Sequence, residues 1–278
     1  MKRFVYVLLA VVLILAGFTW MKQSATTSLN TKDYVQSTTP TLFFHGYGSS
    51  VNAEKHMTNA AVKVGVTKTV IRADVDRDGK VSLTGDIPKG VINPIIQVQY
   101  ADNRNPKKTG EYAKAVVDKL QSTYGFKKMN MVGHSMGNMS ILNYVLENST
   151  DEKAHRLQKQ VDIANHVAGL EGMNLPENLT LNPETGEPNK MNAGYQRFLG
   201  LREVYPEHQV DILNIYGDIG GETDGSVKNV SSLALKYLVK DRAKSYWEVK
   251  FTGPKAQHSQ LHENDEVDKV LIDFLWGK

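Results

Sequence analysis

Five residues, Gly133-His134-Ser135-Met136-Gly137, constrain this chain more than any other stretch. They fit G-x-S-x-G and stand between two apolar segments. Lys128–Val132 reads as a strand, and Met136–Leu146, apolar on nearly every side, reads as a helix sandwiched inside the molecule. A serine held on so sharp a strand-to-helix turn takes strained backbone angles. A side chain two residues to either side would strike the neighbouring strand or helix, so glycine suits both places. The turn lifts the hydroxyl clear of a sheet and sets a helix N-terminus beneath it. The motif therefore predicts a central strand, a buried helix behind it, and a nucleophile between them.

The rest of the chain alternates strand and helix signals, as a mostly parallel sheet with crossover helices on both faces requires. Thr41–Phe44, Asn93–Tyr100, Val161–Val167, Gln209–Tyr216 and Ser245–Phe251 read as strands. Thr69–Val75 and Lys80–Thr84 flank the turn dipeptide Asp78-Gly79 and read as a hairpin. Glu111–Tyr124 has Tyr112, Val116 and Leu120 on one helical face, with Gly125 as its stop, and Ser231–Lys240 reads as a further helix. In the last helix Asn264 is the cap, Asp265 and Glu266 suit the positive end, and Val267, Val270, Leu271, Phe274 and Leu275 form one stripe. Gly169–Pro206, rich in Asn, Pro, Glu and Gly, reads as an insertion over the sheet edge. Asp74–Gly79 mimics the start of a calcium loop. Its twelfth position is Gly85 in place of a bidentate glutamate and its flanks are strand-like, so a polar hairpin is the better reading and no metal is expected.

A serine hydroxyl needs a base, and a developing oxyanion needs donors. Phe44-His45-Gly46-Tyr47-Gly48 follows the first buried strand, the place from which such a loop gives one backbone N–H, while the residue after the nucleophile gives the other. The expected donors are the amides of Tyr47 and Met136. Of eight histidines, His258 and His262 alone lie between the last strand and the last helix. His258 is the expected base, and His262, two residues before the Asn264 cap, is expected to help set the helix start. Two carboxylates compete for the acid. Asp224 sits on a glycine-rich loop with room to turn inward, and Asp218 lies at the strand mouth, where it could bond the loop backbone. Asp224 is preferred, which gives the order Ser135, Asp224, His258 expected of an α/β-hydrolase fold.

Taken together, FFHGYGSS, MNMVGHSMGN, IYGDIGGETDGSVKNVSS and HSQLHEN resemble the cell-surface α/β-hydrolases of Gram-positive bacteria over residues 40 to 276. Asp-Gly-x-Val followed by Ser-Ser and a later histidine is more distantly similar to bacterial triacylglycerol lipases. The resemblance implies the fold, a Ser-Asp-His triad and a surface location, and names no substrate. One departure is Asn138, where these proteins often carry another glycine; it lies on the helix, beyond the steric need of the turn.

Lys2 and Arg3 precede an apolar or neutral run from Phe4 to Trp20. Seventeen residues of helix rise about 25 Å, at the lower edge of a membrane span. Residues 1–21 therefore read as a membrane anchor or a cleaved signal segment, 22–39 as a polar tether, and 40–278 as one hydrolase domain at the extracellular face. The absence of cysteine excludes a thiolate nucleophile, a disulfide scaffold and Cys-ligated zinc. A net charge of +3 with both signs scattered, and no basic block interleaved with aromatics, argues against nucleic acid. The expectation is a carboxylic ester hydrolase acting on a small-molecule or lipid ester without a cofactor. Its rivals are a lipase or thioesterase, or a surface binding protein that kept the fold and lost turnover.

Overall fold

The computed structural model describes residues 28–148 and 157–278. Among the described residues, eight strands form one sheet in the order β3-β2-β4-β1-β5-β6-β7-β8. They are β1 Thr41–Phe44, β2 Val70–Val75, β3 Val81–Thr84, β4 Ile95–Tyr100, β5 Met129–His134, β6 Leu157–Ile163, β7 Asp211–Asp218 and β8 Ser245–Thr252. Only β3 is antiparallel, as the return of the Asp78-Gly79 hairpin; every other neighbouring pair is parallel. The central strands β1 and β5 are buried at every position, as strands covered on both faces must be.

Two apolar layers flank the sheet. On one face Tyr112, Val116 and Leu120 of the Thr109–Tyr124 helix pack with Ile141, Leu142 and Val145 of the Met136–Glu147 helix. Gly125, at φ 69°, closes the former helix in the left-handed region where glycine costs least. On the other face lies the Asp265–Trp276 helix, whose Asn264 cap accepts from the Glu266 amide at 2.9 Å. It packs with a Lys55–Lys63 helix that the sequence reading did not single out. Val267, Leu271 and Leu275 of the expected stripe are buried, with Val270 and Phe274 at its margin.

Four expectations are modified. β6 begins at Leu157 and ends at Ile163, because Ala164 turns to φ 51° and takes the chain out of the sheet. The segment 231–240 is two short helices, Asn229–Leu233 and Leu235–Val239, meeting at Ala234. The insertion is not an edge flap: its helices Ala193–Phe198 and Leu201–Val204 bury Tyr195, Phe198 and Leu201 in the face that holds the Met136–Glu147 helix. The described part of the 22–39 stretch is laid along the domain rather than detached from it. Asn30 donates to Gly65, Val35 to the Trp276 carbonyl, and Tyr34 bridges Gly277. The Phe4–Trp20 run lies outside the described residues. Among the described residues no helix is long and apolar enough to cross a membrane.

Candidate active site

The turn between β5 and the Met136–Glu147 helix holds Ser135 at φ 54°, ψ −118°, a left-handed conformation that costs a non-glycine residue of order 1–3 kcal/mol. The neighbouring glycines make room for it. A Cβ on Gly137 would collide with the Phe44 carbonyl oxygen, and one on Gly133 would come within 2.6 Å of the Asn138 nitrogen. Asn138 does more than fill space. Fully buried, its carboxamide donates to the carbonyls of Ser135 and Ile163, both at 2.9 Å, and accepts from the Ile163 amide at 3.2 Å. The side chain thus ties the strained turn to the end of β6, where the Ser135 amide also donates to Ile163.

The parallel sheet delivers the loops after β1, β7 and β8 to the same end as Ser135. His258 Nε2 lies 3.0 Å from Ser135 Oγ, and His258 Nδ1 lies 2.8 Å from Asp224 Oδ2. Since a carboxylate can only accept, Nδ1 carries the proton and Nε2 is free to receive the serine hydroxyl's hydrogen. Asp224 is 2% exposed, and its other oxygen accepts from the Ser226 and Val227 amides at 2.8 and 2.7 Å. These bonds leave the carboxylate satisfied and fixed in orientation. The structure brings together the three residues Ser135, Asp224 and His258.

The competing residues make other bonds. Asp218 accepts from the Gly220 amide at 2.8 Å and pairs with Lys250 at 2.6 Å, which holds its carboxyl below the usual range. It staples the loop, as a turn aspartate does. His262 faces Glu263 at 3.2 Å and sets its ring edge-on against His134. Asp76, in the calcium-like stretch, accepts instead from the amides of Asp78 and Lys80, as a hairpin turn requires.

The loop after β1 passes beside Ser135: a Cβ on Gly46 would lie 3.2 Å from Ser135 Cβ. His45, fully buried, fixes its course. Its Nδ1–H donates to the Gly46 carbonyl at 2.9 Å, and its Nε2 accepts from the Tyr100 amide at 3.2 Å. Burial lowers the pKa of this ring and so keeps it neutral, as that pattern needs. In a planar trans peptide the N–H opposes the C=O. Anchoring the Gly46 carbonyl to His45 and to the Ser49 amide therefore turns the Tyr47 N–H the opposite way.

Sequence reasoning missed several residues that shape this site. A Cβ on Gly217 would collide with the Ala256 carbonyl oxygen, so glycine there lets the loop that carries His258 close onto β7. His134 donates from Nε2 to the His258 carbonyl at 2.9 Å. Burial, then the neighbouring His258 and His262, push its pKa well below the ordinary value. His166, just past β6, is lowered to about 4 by burial and by His258. Its place inside a stretch read as strand concealed it. For Gly217 and His134 the only signal was adjacency to an expected strand end or nucleophile.

Comparison with known proteins follows the same lines. No curated protein matches the chain. The lin2722 gene product of Listeria innocua is similar at 24% identity and a TM-score of 0.75, over 86% of this chain and 94% of its own. A Lactobacillus plantarum protein, provisionally designated a cell surface hydrolase, is similar at 20% identity and a TM-score of 0.66, over 85% and 89%. These likenesses show the fold. Residues 28–278 match the family described as alpha/beta hydrolase of unknown function (DUF915), and the chain belongs to that family.

Proposed function

We propose that the protein is a serine hydrolase of carboxylic esters, with Ser135 as nucleophile, His258 as base and Asp224 as acid. The observation that carries this is the unbroken hydrogen-bonded series from Asp224 through His258 to Ser135, at 2.8 and 3.0 Å. In this reading His258 Nε2 takes the Ser135 proton as Oγ attacks the ester carbonyl carbon. The carbonyl π electrons move to oxygen, and the amides of Tyr47 and Met136 receive the oxyanion. Collapse expels the alcohol, which leaves with the proton from His258. Water, deprotonated by the same ring, then attacks the acyl carbon; the bond to Ser135 Oγ breaks, Oγ takes the proton back from His258, and the acid is released. Asp224 fixes the tautomer and balances the imidazolium. The cycle consumes only ester and water and calls for no cofactor.

The proposed location is the outer face of the cell membrane, with the Phe4–Trp20 run as anchor or cleaved signal. Support comes from the cations Lys2 and Arg3 before that run. The designation of the Lactobacillus plantarum relative as a surface hydrolase points the same way.

One observation favours the lipase form of this activity. Tyr47, Met173 and Ile219 are 62%, 80% and 44% exposed, and they stand on the loops after β1, β6 and β7, at the end of the sheet that carries Ser135. Exposed apolar side chains on loops that leave this end of the sheet suit a lipid surface. A panel of p-nitrophenyl esters from acetate to palmitate tests both levels. Turnover of any member supports the esterase, and kcat/KM rising with chain length supports the lipase. A failure to turn over any ester, with no reaction toward fluorophosphonate, would favour a binding protein on the same fold.

A further inference from the structure

We infer that His134 is a positioning residue for the base, acting through a hydrogen bond from its ring to the backbone of His258; this rests on the proposed triad. Three observations carry it. First, His134 Nε2 is 2.9 Å from the His258 carbonyl oxygen, and a carbonyl can only accept, so the ring is the Nε2–H tautomer and donates. Second, His134 is 6% exposed, and its ring lies 4.9 Å from the His258 ring and 4.7 Å from the His262 ring, so it is packed in place between them. Third, the His258 amide donates to the Asp224 carbonyl at 2.9 Å. The base is therefore braced on both sides of its own Cα, by the acid's residue through its N–H and by His134 through its C=O.

His134 precedes Ser135 in the chain, so the brace ties the base loop to the strand end that carries the nucleophile. The 3.0 Å Ser135–His258 contact joins two loops from opposite sides of β6 and β7, and nothing covalent fixes it. A shift of about 1 Å in such a pair can cost about 10²-fold in rate. The hydrogen bond of His134 goes to the His258 main chain and to none of Ser135 Oγ, His258 Nε2 or the Asp224 carboxylate. Its effect should reach the chemistry only through where His258 stands, so kcat moves and KM does not.

Two variants of the full-length protein separate the donor from the ring. His134→Phe keeps an aromatic ring against His258 and His262 but has no donor; His134→Gln keeps an N–H donor and gives up the ring. Turnover of a p-nitrophenyl ester is read per active site titrated with a fluorophosphonate, so misfolded protein lowers the titre and leaves kcat untouched. The expected result is a kcat about 10- to 100-fold lower for His134→Phe with KM within about twofold, and His134→Gln within about threefold of wild type. If His134→Phe matches wild type, or His134→Gln is as impaired as His134→Phe, the hydrogen bond does not position the base and the inference is overturned. Should His134→Phe yield no folded protein, His134→Leu replaces it under the same criteria. Ser135→Ala, which takes no fluorophosphonate and is therefore assayed per mole of folded protein, distinguishes the failures. An active Ser135→Ala sinks the triad, whereas an inactive one beside a normal His134→Phe sinks only the positioning role.

Discussion

Asp224 and His258 are joined twice: the carboxylate meets the imidazole Nδ1 at 2.8 Å, and the Asp224 carbonyl accepts the His258 amide at 2.9 Å. Asp224 thus sets both the ring and the main chain of His258. Asp218, six residues earlier, spends its oxygens on Gly220 and Lys250.

From this, Asp224→Asn should lower turnover by about 10⁴-fold, since the imidazole would lose its tautomer and countercharge. Asp218→Asn should cost less than about tenfold and act mainly on stability. Steady-state kinetics on the two variants decide; a larger loss at Asp218 would reassign the acid.

Asn138 replaces a glycine expected from the resemblance, and its three hydrogen bonds make it a clamp on the turn. Asn138→Gly should destabilise the protein by about 2–4 kcal/mol, because the buried Ile163 amide would be left without its acceptor. Urea denaturation of wild type and variant measures this. A change below about 0.5 kcal/mol would mean the carboxamide is dispensable.

The histidines near Ser135 give stability a pH dependence of known sign. His166 falls from 6.5 to about 4 on folding, so the unfolded chain binds the proton more readily between those values. Its contribution is fully present above about pH 6.5 and is lost as pH falls toward 4. At about 1.36 kcal/mol per pH unit this amounts to about 3 kcal/mol at most. His134 acts in the same direction. Melting temperatures from pH 7.5 to 4.5 should fall less steeply for His166→Gln than for wild type; parallel curves would contradict this.

The fold was legible wherever local chemistry was strict. Gly133-x-Ser135-x-Gly137 had a steric cause, and the structure displays it in the contacts a Cβ would make with Phe44 and Asn138. The hairpin at Asp78-Gly79 and the Asn264 cap were fixed by a few neighbouring residues. The limits of β6 were not, because the backbone reversal at Ala164 depends on contacts with β7 and not on its own side chain. The short helices at 193–204 were hidden for a related reason. Their burial of Tyr195 and Phe198 is decided by the partner helix at 136–147. At the site, order along the chain pointed to Ser135, Asp224 and His258. The braces at His45, His134 and Gly217 follow only from loops meeting in space.

The topology of the N-terminal segment has its own test. Protease added to intact protoplasts should digest the domain, with the uncut chain retained by the membrane. A protected domain would reverse the orientation, and a domain free in the medium would mean the segment is cleaved.

Ser135 is the residue on which the proposed function rests most directly. Full-length protein treated with a fluorophosphonate and digested should carry a single adduct, on the peptide containing Ser135, and Ser135→Ala should take no label. The same variant should remain folded and lose ester turnover by about 10⁴-fold or more. Label on another residue, or a Ser135→Ala protein within tenfold of wild-type activity, would contradict the assignment of the nucleophile and the function built on it.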